Sequence, residues 1–146
     1  MDLYTMGFTQ KSAEQFFGLI KKNNIELLID VRLNNQSQLA GFTKGRDLKF
    51  FLEKICNCGY VHEDMFAPTK DVLSDYKKKL ISWADYVTKF DILLHRRPIE
   101  KLFLKYTDGY GRVLLLCSEP TPEYCHRRLL AEYLVKNIPD VTIKHI

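Results

Sequence analysis

Val113-Leu114-Leu115-Leu116-Cys117-Ser118-Glu119-Pro120-Thr121-Pro122-Glu123-Tyr124-Cys125-His126-Arg127-Arg128 is the stretch that decides the fold. Its four opening apolar residues, bounded upstream by Gly109 and Gly111, are too few for a helix and read as a buried strand. Thr121 is expected to cap a helix that starts at Pro122, because proline needs no amide partner at the first helical position. That reading puts Cys117, Ser118 and Glu119 at the carboxyl end of a strand. It puts Cys125, His126 and Arg127 within two turns of a helix N-terminus. In open α/β sheets, ligands bind at such junctions. Thiols, a carboxyl, an imidazole and guanidinium groups this close together are more than packing alone requires.

The strands and helices around this stretch follow from spacing. Leu3 to Met6 reads as a short strand ending at Gly7. Ser12-Ala13-Glu14-Gln15 has the pattern of a capping box, and Ala13, Phe16, Phe17 and Ile20 follow at helical spacing. Leu27-Leu28-Ile29 is a continuous apolar run, as expected of a parallel strand covered on both faces, and Asp30-Val31-Arg32 closes it. The strand–helix–strand order implies a right-handed parallel crossover.

Leu33 to Arg46 is polar and reads as a long loop, a type often functional. Asp47 is expected to cap the next helix, with Leu48, Phe51, Leu52 and Ile55 inward and Gly59 at its C-terminal cap. Tyr60 to His62 makes a short third strand. Three helical segments follow: Asp71 to Lys79 with a weak apolar face, one through Trp83, Tyr86, Phe90 and Leu94, and one opened by Pro98. A last strand covers Val141 to His145. The expected architecture is a small α/β three-layer sandwich with a mostly parallel sheet. It is one domain over 1–146, with a helical insertion at about 64–108.

The string Cys117-Ser118-Glu119-Pro120-Thr121-Pro122-Glu123-Tyr124-Cys125-His126-Arg127 resembles the Cys-x-Glu-x-x-Pro-x-x-Cys-His-Arg signature of an uncharacterised family, domain of unknown function four-eight-eight. Asp30-Val31-Arg32 is similar to that family's second hallmark, and Tyr4 to Thr9 is similar to its first strand and turn. The resemblance spans nearly the whole chain. It implies a fold and a site, and no known reaction. It also implies a ligand contact for Ser37, which matches a hydroxyl position in the family pattern. The chain departs from that pattern where Asn34-Asn35-Gln36 precedes Ser37 and where Met65-Phe66-Ala67-Pro68 replaces a Leu-Gly-Gly-like element. The lost glycines remove close backbone approach, so substrate shape can differ from other members.

Bulk composition narrows the function. A hydrophobic content of 46% and a charged content of 27% fit a globular domain with its own core. No apolar run approaches the ~20 residues needed to span a bilayer. The start Met1-Asp2-Leu3-Tyr4 lacks a secretory pattern, so a cytoplasmic location with four free thiols is expected. A net charge of +4 is compatible with an anionic partner. Lys77-Lys78-Lys79 and Arg96-Arg97 read as solvated surface.

If the sheet is parallel, three strand ends meet at one rim, carrying Gly7-Phe8-Thr9, Asp30-Val31-Arg32 and Cys117-Ser118-Glu119. Arg32 either holds an anion through its fork of donors or pairs with Asp30 or Glu119 to hold the loop. Asp30 orients its neighbours through backbone amides. Glu119 is either a general base or an acceptor for helix amides. His126 shares a helical face with Leu129, Leu130 and Tyr133 and so points toward the sheet. Arg127 lies at the margin of that face, within reach of an anion, and Arg128 points away.

Cys125, near a helix N-terminus and beside His126, is a candidate nucleophile, whereas Cys117 reads as packing; together they raise a redox role. Cys-x7-Cys-His is not a zinc spacing and Cys56-x-Cys58 is too close for a knuckle, so no metal is expected. No Gly-x-Gly-x-x-Gly, Walker loop or Gly-x-Ser-x-Gly is present, and no cofactor is expected.

Two functions remain open. One is an enzyme or former enzyme acting on a small anionic ligand, such as a nucleotide, base or sugar phosphate. Thr9, Asp30, Arg32, Ser37, Ser118 and Arg127 would bind it, and Glu119, His126 and Cys125 would do the chemistry. The other is a nucleic-acid-binding module without catalysis, for which phosphate contacts would make affinity fall steeply with salt.

Overall fold

The computed structural model describes residues 1–36 and 40–146. Ser37, named above as a ligand contact, lies outside the described residues. Five strands form one all-parallel sheet: β1 (Asp2–Gly7), β2 (Leu27–Asp30), β3 (Gly59–His62), β4 (Arg112–Cys117) and β5 (Thr142–His145), in the order β3-β2-β4-β1-β5. Among the described residues, six α-helices cover it: α1 (Ala13–Lys22), α2 (Gly45–Phe51), α3 (Lys70–Lys77), α4 (Trp83–Arg96), α5 (Ile99–Thr107) and α6 (His126–Asn137). The result is a small three-layer α/β sandwich.

Strand alternation splits the core into two halves. Leu3, Leu27, Ile29, Val113 and Leu115 face the cluster built by Phe90 and Leu94 of α4, Ile99 and Phe103 of α5 and Leu130 and Leu134 of α6. Tyr4, Met6, Leu28, Leu114 and Leu116 face the cluster built by Phe16, Phe17 and Ile20 of α1 and Leu48 of α2. Because both faces are covered, Leu28, Ile29 and Val113 through Leu116 are fully buried. This is why those strands read as unbroken apolar runs.

Several element ends differ from the sequence reading. The α1 box forms as expected: Gln15 N–H donates to Ser12 Oγ at 3.1 Å, and Ser12 N–H donates to Gln15 Oε1 at 2.9 Å. α2 starts two residues before Asp47, with Lys44 at its cap, so Asp47 lies in the first turn. The helix runs on through a π turn, Leu52–Cys56, and ends on Asn57 in the left-handed region at φ 49°. Gly59 therefore opens β3 instead of capping the helix.

The larger difference is at α6, which begins at His126 and not at Pro122. Residues 118–124 form an irregular turn, Cys125 is the cap residue, and His126 takes the first helical position.

The topology places a crevice at the end of β4. β1 and β2 leave their carboxyl ends for the α1/α2 face, whereas β4 leaves for α6 on the opposite face. β4 lies between β1 and β2, so the chain diverges on both sides of Cys117. Ligands bind at such divergences because the departing backbones leave a gap.

Candidate functional site at the end of the central strand

One cleft of about 630 Å³ opens at this divergence. Arg32, Cys117, Ser118, Glu119, Cys125 and His126 line its inner side. Five residues of α3 form part of its outer wall, together with Tyr86 of α4 and Tyr124 of the turn. A second hollow, between α1 and α2, has the apolar walls Phe17, Phe42, Phe51 and Ile55 and lies away from the strand ends.

The rim expected from three strand ends is divided. Thr9 Oγ1 donates to the Ser118 carbonyl at 2.7 Å and lines separate hollows with Gln10 and Lys11. Arg127 is 1% exposed, and its Nη1 donates to the Glu119 carbonyl at 2.6 Å. A Cβ on Gly7 would lie 1.6 Å from that same carbonyl oxygen. Arg127 therefore clamps the turn against β1 and does not line the cleft. Arg128 ties the far side of the turn, donating to the carbonyls of Pro122 at 3.2 Å and Glu123 at 3.0 Å.

Arg32 lies at the cleft floor, 3% exposed, and is mostly satisfied. Nε donates to Asp30 Oδ1 at 2.8 Å, and Nη2 donates to Asp30 Oδ2 at 2.7 Å and to the Thr43 carbonyl at 2.6 Å. Burial acts to lower its pKa, but the hydrogen bond and charge of Asp30 outweigh it and raise the value. The Phe8 ring lies 5.1 Å from the guanidinium carbon. Only Nη1 has no partner among the described residues. Asp30 is fully buried and takes a further bond from Tyr60 Oη at 2.7 Å. Of the two roles open to Arg32, the ion pair with Asp30 is the one present in the structure.

His126 is held by chemistry that fixes its tautomer. Its Nε2 lies 2.7 Å from the Val31 carbonyl, which only accepts, so Nε2 carries a hydrogen. The ring meets Phe90 edge-on at 5.8 Å. Cys117 Sγ lies 3.7 Å from Nδ1 and 3.8 Å from Nε2.

The two thiols beside it are unequal. A hydrogen bond from the Cys125 thiol lowers the Cys117 pKa, with smaller help from the Ser118 amide and the Arg127 charge. The Cys125 pKa rises, first through that same bond and then through burial. Cys125 is the cap residue of α6, at the helix N-terminus as the sequence reading placed it, but the neighbouring Cys117 and burial outweigh that position.

Cys117, Cys125 and His126 each offer a donor atom, and these atoms lie within 4.8 Å of one another. Chain spacing gave no sign of this grouping. Cys117 Sγ is nearly equidistant from both ring nitrogens and so is not aligned with the lone pair of either one.

Glu119 is exposed at the cleft mouth. Opposite it stands a wall that sequence reading assigned to surface and core. Lys70, Leu73, Ser74 and Lys77 are spaced three and four apart, so α3 presents all of them on one face, to the cleft. Tyr76 packs against Tyr86 at 5.0 Å, and Trp83 stacks on Tyr86 at 4.9 Å and meets Tyr124 edge-on at 5.4 Å. The Lys70-x6-Lys77 spacing was the signal available for this wall.

Residues 12–134 match the family model described as domain of unknown function DUF488, and the chain belongs to that family. No curated protein and no solved structure matches the chain. Among the described residues, no helix is long and apolar enough to cross a membrane.

Proposed function

We propose that this family member binds a small anionic ligand of the nucleotide, base or sugar-phosphate class in the cleft at the end of β4, and acts on it there. One observation carries the reading: Lys70 and Lys77 stand with an aromatic wall on one side of a single cleft, facing Glu119 and His126. The lysines supply charge for a phosphate, Tyr76 and Tyr124 supply flat apolar area for a ring, and Ser118 supplies a hydroxyl. Glu119, open to water, and the Nδ1 of His126 are the groups able to exchange protons with the ligand.

The volume favours a monomeric ligand over a polymer. About 630 Å³ is within the usual range for small-molecule clefts, whereas a nucleic acid needs a groove that continues past the site. Thermal-shift measurement with nucleoside monophosphates, nucleosides, sugar phosphates and inorganic phosphate tests the proposal. The expected result is a rise in Tm with at least one phosphorylated compound. That rise is lost in the Lys70→Glu/Lys77→Glu double variant, whose own Tm stays near wild type because both lysines are exposed. No rise with any compound at millimolar concentration would overturn it. Salt-sensitive retardation of single-stranded RNA without mononucleotide binding would favour the nucleic-acid reading.

A further inference from the structure

We propose that Cys117 and Cys125 form a redox-active dithiol, which a hydroperoxide converts to an intramolecular disulfide through attack by Cys117 and resolution by Cys125. Both side chains line the cleft, and their sulfurs lie within 4.8 Å of one another. Each is the main influence on the other, lowering the pKa of Cys117 and raising that of Cys125, which separates an attacking sulfur from a resolving one. The residues between them form an irregular turn outside β4 and α6, so bringing the sulfurs to the ~2.05 Å of a disulfide needs a shift of the turn and its Arg127 and Arg128 ties, not of the sheet or the helix.

The other two cysteines provide an internal contrast. Cys58 is buried with its thiol pushed up to about 12, chiefly by burial. Cys56 is half-buried, with its Sγ on the Phe17 carbonyl at 3.8 Å and its thiol also pushed up. Neither lines the cleft.

The chemistry balances in two steps. The Cys117 thiolate attacks the terminal oxygen of the hydroperoxide. An S–O bond forms, the O–O bond breaks, and the departing alkoxide takes a proton to leave as an alcohol, or as water when the oxidant is hydrogen peroxide. Cys125 then gives up its proton and attacks the sulfenic sulfur of Cys117. An S–S bond forms, the S–O bond breaks, and hydroxide leaves with that proton as water. Two electrons pass from the sulfurs to the peroxide.

The test needs no nucleotide, so its failure leaves the ligand proposal standing and the reverse also holds. The full chain is reduced, freed of reductant and kept with a chelator. It is then treated with hydrogen peroxide, denatured, alkylated and digested with trypsin. Cys117 and Cys125 fall in one peptide, Val113 to Arg127, and Cys56 and Cys58 fall in another. The expected result is that the first peptide loses two hydrogens and its alkylation sites, recovers both with dithiothreitol, and the second stays alkylated. In Cys125→Ser the reaction stops at a Cys117 sulfenic acid that dimedone captures. Full alkylation of Val113 to Arg127 after peroxide, or a bridge involving Cys56 or Cys58, would overturn the proposal. The wild-type peptide decides the matter even if the variant does not fold.

Discussion

Arg32 and Asp30 grip each other through two parallel hydrogen bonds, Nε to Oδ1 at 2.8 Å and Nη2 to Oδ2 at 2.7 Å, with both side chains almost fully buried. The pair joins the end of β2 to the loop that follows, because Nη2 also holds the Thr43 carbonyl. A residue placed at a strand end as an anion hook is thus already committed to a neighbour two positions away.

Arg32→Ala leaves the Asp30 carboxylate buried with Tyr60 and the Arg32 backbone amide as its remaining donors. Breaking one side of a buried pair costs about 3–5 kcal/mol. Urea unfolding of the variant is expected to show a loss of that size. A loss comparable to that of an exposed salt bridge would mean that water reaches Asp30.

Gly7 and Gly18 respond to alanine in opposite directions. A Cβ at Gly7 meets the Glu119 backbone, whose carbonyl also holds Arg127, so neither partner yields cheaply. Gly7→Ala is expected to cost at least about 2 kcal/mol as overpacking. Gly18 is exposed within α1 with nothing near its missing Cβ. Gly18→Ala is expected to add about 0.5–1 kcal/mol through helix propensity. Paired melting curves check both signs.

His145 supplies a pH response. Burial lowers its pKa below the ordinary 6.5, and the Arg127 charge lowers it further. Its Nδ1 lies 2.6 Å from Thr5 Oγ1. The folded state therefore binds fewer protons than the unfolded state just below pH 6.5. This contribution to stability is complete above that pH and declines as pH falls through 6.5 toward the folded value. Imidazole titration by NMR should give a midpoint below 6.5; a midpoint at or above it would show that the ring is solvated.

Trp83 is the single tryptophan, and it touches both Tyr86 and Tyr124 of the cleft wall. Its emission is expected to change when a mononucleotide fills the cleft and to stay constant in Lys70→Glu/Lys77→Glu. Unchanged emission in wild type at a ligand concentration that raises Tm would place the ligand elsewhere.

The layers of the fold were legible in the sequence because burial on both faces makes parallel strands plainly apolar. Leu27 to Ile29 and Val113 to Leu116 show this directly. Helix ends were less legible. Proline at a first helical position pointed to Pro122, but α6 begins at His126 with Cys125 as its cap, and no local rule in the turn marks that start. The site was legible in part. Arg32, Ser118, Glu119, Cys125 and His126 do share a cleft, because the carboxyl ends of parallel strands lie on one side. Thr9 and Arg127 do not join them, because the turn after β4 passes between. The α3 wall went unseen, because a helix with few buried residues carries little periodic signal.

The strand order has a kinetic meaning. β4 provides the middle of the sheet, yet it is made from residues 112–117, long after β1 and β2 have been synthesised. Until it emerges from the ribosome, those two strands have no shared neighbour, and the apolar edges they would offer it stand open. Most of the chain must therefore wait unassembled, and the final closure joins segments far apart along it, which makes for slow folding with a late, cooperative step.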